Sequence, residues 1–210
     1  MRNDVIRKGL VLGILLLFVT VSIVSALNAN PSSNSPSAKL GNWLYVGGIG
    51  PGNYTTIQSA IDASISGDTV FVFSGTYYEN IVISKDSISL IGEDKHTTII
   101  DGRKLAGGLT IPENCDYNFV SDFTIKNASH HGICIHSETA GSGATCNYNT
   151  ISDCIVIDSV SLGDHAAIVI MAERWTCHAD YNTIINCEVY NNIWTALSVC
   201  LFPKLLSPGK

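Results

Sequence analysis

Two polar segments hold most of the side chains in this chain that could do chemistry. The first, His136 to Thr145, contains His136 and Glu138; the second, Met171 to Asp180, contains Glu173, Arg174, Trp175 and His178. If these six residues share a groove, Trp175 offers a flat apolar face to a sugar ring while the charged groups bond its hydroxyls. Glu138 and Glu173 would then supply the two carboxylates of a glycoside hydrolase, provided they stand roughly 5 to 9.5 Å apart. The plainer alternative is a pair of solvated loops with Trp175 folded against the protein wall. Elsewhere, His130-His131 and Asp164-His165 fit polar turns, and no serine or cysteine around them forms a triad pattern.

Both segments follow an Ile-x-Ile run and precede a Tyr-Asn element, so the elements that position them repeat. Tyr117-Asn118-Phe119-Val120-Ser121-Asp122-Phe123-Thr124-Ile125 recurs from Tyr148 to Val156 and again, at nearly the same interval, from Tyr181 to Val189. Each copy goes on to a second apolar pair: Ile133 and Ile135, Ile168 and Ile170, Leu197 and Val199. A unit of this size, made of three-to-five-residue strands, cannot bury its apolar face alone; stacking one copy on the next closes a continuous core. Equivalent residues then form ladders about 4.8 Å apart. Asn118, Asn149 and Asn182 are expected as an asparagine ladder at a turn, and Phe123, Cys154 and Cys187 as an internal apolar ladder in which cysteine acts as a small hydrophobe. The two long segments fall at the same place in adjacent coils and so on one side of the cylinder.

Stacking also gives the cysteines a geometry. Cys115, Cys146 and Cys177 are evenly spaced, one ahead of each Tyr-Asn element. Neighbours one strand spacing apart lie within the Cα separation a disulfide allows, with Cys146 to Cys177 the expected bridge. His136 and His178 nearby leave a mixed sulfur and nitrogen metal site as the other reading, but compact zinc spacing such as Cys-x-x-Cys is absent and no metal ligand is assigned.

Upstream of the repeats, Thr55 to Ser66 reads as a short amphipathic helix with Ile57, Ala60, Ile61 and Ile65 on one face, a Thr55 and Gln58 capping box, and Gly67 as its stop. Residues 1–26 read as a signal peptide: Arg2, Arg7 and Lys8 precede an apolar run from Gly9 to Val24, and Val24-Ser25-Ala26 offers a cleavage site. Retention as a membrane anchor is the alternative, because the run approaches the ~18 to 20 residues that span a bilayer. Residues 27–42, rich in Asn, Ser and Pro, read as a flexible linker, and residues 43–210 as one folded domain. The signal segment holds three basic side chains and one acidic, so the remainder carries −8 against −6 for the whole chain. That balance argues against nucleic acid and anionic membrane surfaces as partners, and against a polyanionic glycan unless calcium mediates the contact. No other cofactor is expected. All seven cysteines follow the signal segment, where export lets disulfides persist.

Tyr54-Thr55-Thr56-Ile57-Gln58-Ser59-Ala60-Ile61-Asp62-Ala63 leading to Gly67-Asp68-Thr69-Val70, Gly75-Thr76-Tyr77-Tyr78-Glu79-Asn80-Ile81 leading to Ile88-Ser89-Leu90-Ile91-Gly92, and Thr98-Ile99-Ile100-Asp101-Gly102 resemble the capping helix and first coils of the pectin-lyase-like superfamily. The later copies are similar to repeats of NosD-like and surface β-helix proteins. The resemblance implies an all-β right-handed parallel β-helix of about five coils with a short N-terminal capping α-helix. It does not fix the chemistry, because this fold carries lyases, hydrolases, esterases and binding modules. The Gly-x-x-Asp-Phe-Ile-Phe-Gly stretch of pectin methylesterases is missing, Gln58 is the only glutamine, and beyond the signal segment the arginines are Arg103 and Arg174. Neither the esterase nor the pectate lyase catalytic set carries over. The sequence therefore favours an exported, non-catalytic surface module that binds a polysaccharide or cell-envelope glycan, with a polysaccharide lyase or glycoside hydrolase as the alternative and metal delivery as a third reading by analogy alone. The run Leu201 to Leu206 lacks a polar cap, which suggests further coils or self-association through that end.

Overall fold

The computed structural model describes residues 41–137, 143–159, 166–172, 177–193 and 195–201. Segment 1–26 and most of the linker lie outside them. Among the described residues no helix is long and apolar enough to cross a membrane.

The described residues run through β1 (Trp43–Val46) and α1 (Ile57–Ala63), then through five turns of three strands each. They are β2 (Thr69–Val72), β3 (Gly75–Tyr77) and β4 (Ile81–Val82); β5 (Ser89–Gly92), β6 (Thr98–Asp101) and β7 (Leu109–Ile111); β8 (Phe119–Ser121), β9 (Thr124–Lys126) and β10 (Ile133–Ser137); β11 (Thr150–Ser152), β12 (Ile155–Ile157) and β13 (Ala166–Ala172); and β14 (Thr183–Ile185), β15 (Glu188–Tyr190) and β16 (Thr195–Leu201). Every strand pairs in parallel with its equivalent in the next coil, which gives three sheets: β1-β2-β5-β8-β11-β14, β3-β6-β9-β12-β15 and β4-β7-β10-β13-β16. The result is a right-handed parallel β-helix.

Side chains alternate across each strand, so every second position points inward. Val70, Leu90, Val120 and Ile151 are stacked in register and fully buried, as are Leu109, Ile133 and Ile168 on the third sheet and Ile100, Ile125 and Val156 on the second. Strands this short are stable only because each coil supplies the next with hydrogen-bond partners and an apolar floor.

The expected asparagine ladder is present and accounts for the buried turn. Asn149 Oδ1 accepts from the Asn118 backbone N–H at 2.9 Å, Asn182 Oδ1 accepts from the Asn149 N–H at 2.8 Å, and Asn118 Oδ1 accepts from the Ile88 N–H at 2.9 Å. The amides donate onward: Asn149 Nδ2 to the Cys115 carbonyl at 3.1 Å and Asn182 Nδ2 to the Cys146 carbonyl at 2.8 Å. Just before each asparagine, Tyr117, Tyr148 and Tyr181 adopt left-handed backbone with φ of 61°, 57° and 58°, and their rings stack outward with centroids 4.9 and 4.8 Å apart.

Phe123 and Cys154 are fully buried in the apolar ladder, whereas Cys187, in the last described coil, is only half-buried. The capping helix is shorter than its sequence pattern. Thr56, not Thr55, is the N-cap and accepts from the Ser59 N–H, while the Ile57 and Gln58 N–H groups donate to the two oxygens of Glu79 at 2.9 and 3.0 Å. Gln58 leaves the expected capping box because tertiary partners claim its amide: Oε1 accepts from the Val82 N–H and Nε2 donates to the Val82 carbonyl, fastening α1 to the edge of β4. Ile65 follows the helix and is 54% exposed, so it does not share the buried face.

Candidate functional site

On the outer side of the third sheet the alternation brings residues from three coils together. Ile133 and Ile135 of β10 point inward, so Cys134 and His136 point outward; register matches Cys134 to Thr110 of β7 and to Val169 of β13, and His136 to Met171. Cys134, Ala166 and Val169, with Met171 against them, form a small apolar cluster on this outer side, separate from the main core. Above it lies a cavity of about 290 Å³ lined by Gly107, Thr110, His130, His131, Cys134, His136 and Met171.

The corner between the second and third sheets places the two other histidines. The Gly108 N–H donates to the His131 carbonyl at 2.9 Å and the Leu109 N–H to the Gly132 carbonyl at 2.9 Å. These coils approach so closely that a Cβ on Gly108 would sit 2.5 Å from the Gly132 carbonyl oxygen and 2.3 Å from Ile125 Cγ2. Glycine is thus required for the corner to close, and closing it swings the His130-His131 pair over the cavity. His131 Nδ1 lies 3.1 Å from the Ala166 carbonyl, and His130 Nδ1 3.0 Å from Ser129 Oγ. A hydrogen bond from His131 Nδ1 to that carbonyl fixes Nε2 as the acceptor of the neutral ring.

The lining therefore combines three imidazoles, a hydroxyl and a thioether over an apolar floor. Imidazoles donate, accept and transfer protons, and a sugar presents hydroxyl edges and apolar C–H faces that such a surface can meet. Among the described residues no group of three or more His, Cys, Asp or Glu side chains could hold a metal ion.

Of the groove residues expected from sequence, His136 lines the cavity. His178 does not: it bridges to Thr145 at the next corner, where its Nδ1 lies 3.3 Å from Asp180 Oδ2. Among the described residues, His136 and His178 thus have separate surroundings. Glu138, Glu173, Arg174 and Trp175 lie outside the described residues. The expected Cys146 to Cys177 bridge is absent, and both cysteines are thiols. Cys146 Sγ turns toward the preceding coil and donates among the Ile111, Pro112 and Cys115 carbonyls at 3.5, 3.3 and 3.5 Å, with burial pushing its thiol up to about 12. The cavity residues that loop polarity does not reveal, Thr110, Cys134 and Met171, are signalled by the outward positions of strands whose inward positions are isoleucine or leucine.

No protein-family model matches the chain. It is 40% identical over 67 residues to a probable pectinesterase/pectinesterase inhibitor 17 of Arabidopsis thaliana, covering 31% of this chain and 13% of that protein. It is 29% identical over 129 residues to pectinesterase 2 of Citrus sinensis, covering 52% of this chain and 25% of that protein. The chain thus spans a quarter or less of the length of these curated relatives. Among solved structures it is similar to pectin methylesterase from carrot, with 15% identity, TM-score 0.48 and 77% and 55% of the two chains covered. It is also similar to pectin methylesterase PemA from Erwinia chrysanthemi, with 12% identity, TM-score 0.41 and coverage of 70% and 55%. With its three parallel sheets, capping helix and in-register ladders, the chain has the fold of a right-handed parallel β-helix.

Proposed function

We propose that this chain belongs to a carbohydrate-active enzyme that works outside the cytoplasm, with the outer face of the third sheet as its polysaccharide-binding surface. The observation that carries the reading is the cavity in which His130, His131 and His136 converge over Thr110 and Met171. The curated relatives, both named pectinesterases, favour an enzyme over the non-catalytic module expected from the missing catalytic sets, and they favour pectin as the class of polysaccharide. The signal-like segment 1–26 supports export. Met171 and the apolar floor would take the C–H face of a sugar, while His131 and His136 bond hydroxyl or carboxyl oxygens. An imidazole held there can also accept a proton from an attacking water or from the carbon α to a uronyl group.

Incubation of the full chain with methyl-esterified pectin, polygalacturonate and neutral glycans tests this. Methanol, new reducing ends and unsaturated uronate are the products of ester hydrolysis, glycosidic hydrolysis and elimination. At least one is expected, with turnover falling on the order of 100-fold in His136→Ala. Absence of every product, together with no measurable glycan binding, would remove the reading.

A further inference from the structure

Two columns of cysteines run through the coils, and they differ in readiness to react. Burial pushes the Cys115 and Cys146 thiols up to about 11 and about 12, so both stay protonated and inert. Cys154 and Cys187 occupy the same place in successive coils, because the registers on either side match Ser152 with Ile185 and Ile155 with Glu188. The Glu188 N–H donates to the Cys154 carbonyl at 2.9 Å, which holds the two residues one strand spacing apart. That spacing, about 4.8 Å, falls inside the Cα separation of roughly 4.4 to 6.8 Å that a disulfide spans.

The environments of the two sulfurs are unequal. Cys154 is sealed in the core and Cys187 is half-buried, with its Sγ 3.4 Å from the Ile185 carbonyl. The Cys154 thiol hydrogen-bonds the Cys187 sulfur, and this bond is the largest influence pulling Cys187 down to about 7. The same bond, followed by burial, holds Cys154 well above the usual thiol range. Asp153 opposes ionisation of Cys187, while Lys95, paired with Glu188 at 2.7 Å, places an ammonium on the same side.

We infer that Cys187 is a reactive thiol that takes low-molecular-weight disulfides of the glutathione class, with Cys154 as its resolving partner. The Cys187 thiolate attacks one sulfur of the small disulfide, forming a mixed disulfide and releasing one small thiolate. Cys154 then loses its proton to solvent and attacks the Cys187 sulfur, forming the Cys154–Cys187 bond and releasing the second small thiolate. The protein pair is oxidised by two electrons and the small disulfide is reduced to two thiols, so the step balances. It does not depend on the carbohydrate reading.

The test uses the full chain carrying Cys200→Ser, because Cys200 is exposed and would react on its own account. Oxidised glutathione should yield a peptide cross-linked between Cys154 and Cys187, with a rate that inflects near pH 7. Cys154→Ser should instead retain a glutathione adduct on Cys187; Cys154→Ala should retain it too and move the inflection upward, because the hydrogen bond to the thiolate is lost; Cys187→Ser should abolish the reaction. If Cys154→Ser fails to fold by circular dichroism, Cys154→Ala reads the same loss of cross-linking. An inflection near the ordinary thiol value of about 8.5, an adduct that persists in the parent without cross-linking, or no reaction at Cys187 would each overturn the inference.

Discussion

Replacing Asn149 by alanine should cost far more than the same change one coil later at Asn182. Asn149 is fully buried, and Asn118 is 1% exposed. Truncating Asn149 strands the Asn118 backbone N–H, the Asn118 amide that donates at 3.1 Å, and the Cys115 carbonyl. Each buried polar group left without a partner costs ~1 to 3 kcal/mol, and partial relaxation brings the three together to about 3 to 6 kcal/mol. That is a large share of the ~5 to 15 kcal/mol that holds a domain folded. Asn182 serves only the Asn149 N–H and the Cys146 carbonyl, and it is half-buried in the last described coil, where water can replace it. Asn182→Ala should therefore cost about 1 to 2 kcal/mol. Urea titration followed by circular dichroism measures both, and the midpoint should fall much further for Asn149→Ala. Equal losses, or a loss under roughly 1 kcal/mol for Asn149→Ala, would mean that the ladder is not what holds the turns in register.

Glu79→Ala removes the acceptor of the Ile57 and Gln58 N–H groups and should destabilise the capping helix by about 1 to 2 kcal/mol, seen as early loss of amide protection in α1 by hydrogen exchange. Gly108→Ala drives a methyl into the Gly132 carbonyl; it should lower stability by about 1 to 3 kcal/mol in thermal unfolding and weaken glycan binding by displacing His131. The hydrogen bond from Lys95, and then its charge, hold the Glu188 carboxyl below its usual range. Its contribution is present above the unfolded value near pH 4.3 and is lost as pH falls through the folded value, so Glu188→Gln and the parent should differ at neutral pH and converge in acid melts.

The fold is legible in the sequence because repetition is a strong signal. Once Tyr117-Asn118, Tyr148-Asn149 and Tyr181-Asn182 are aligned, the inward columns and the asparagine ladder follow from stacking alone. The site is less legible. Polarity draws attention to the long segments carrying Glu138 and Trp175, whereas the cavity is built partly on strand positions whose outward-facing members include the apolar Cys134 and Met171. In Ala166–Ala172 nearly every side chain is buried, because a second apolar cluster covers the outside of the sheet; hydrophobicity therefore cannot separate the core column from Met171. Gln58 misleads for a related reason: its spacing from Thr55 fits a local cap, but Val82, far along the chain in β4, takes the side chain. The Cys146 to Cys177 spacing suits a bridge, yet spacing says nothing about which way Sγ turns.

Hydroxyl-radical footprinting in the presence and absence of a pectin oligomer reads the proposed surface directly, since Met171 and His136 both oxidise and both line the cavity. Met171 and His136 should become protected on binding while Trp43 and Tyr45, exposed on the outer face of the first sheet, remain unchanged. Protection at Trp43 and Tyr45 with Met171 unaltered would place the glycan on another face and contradict the account.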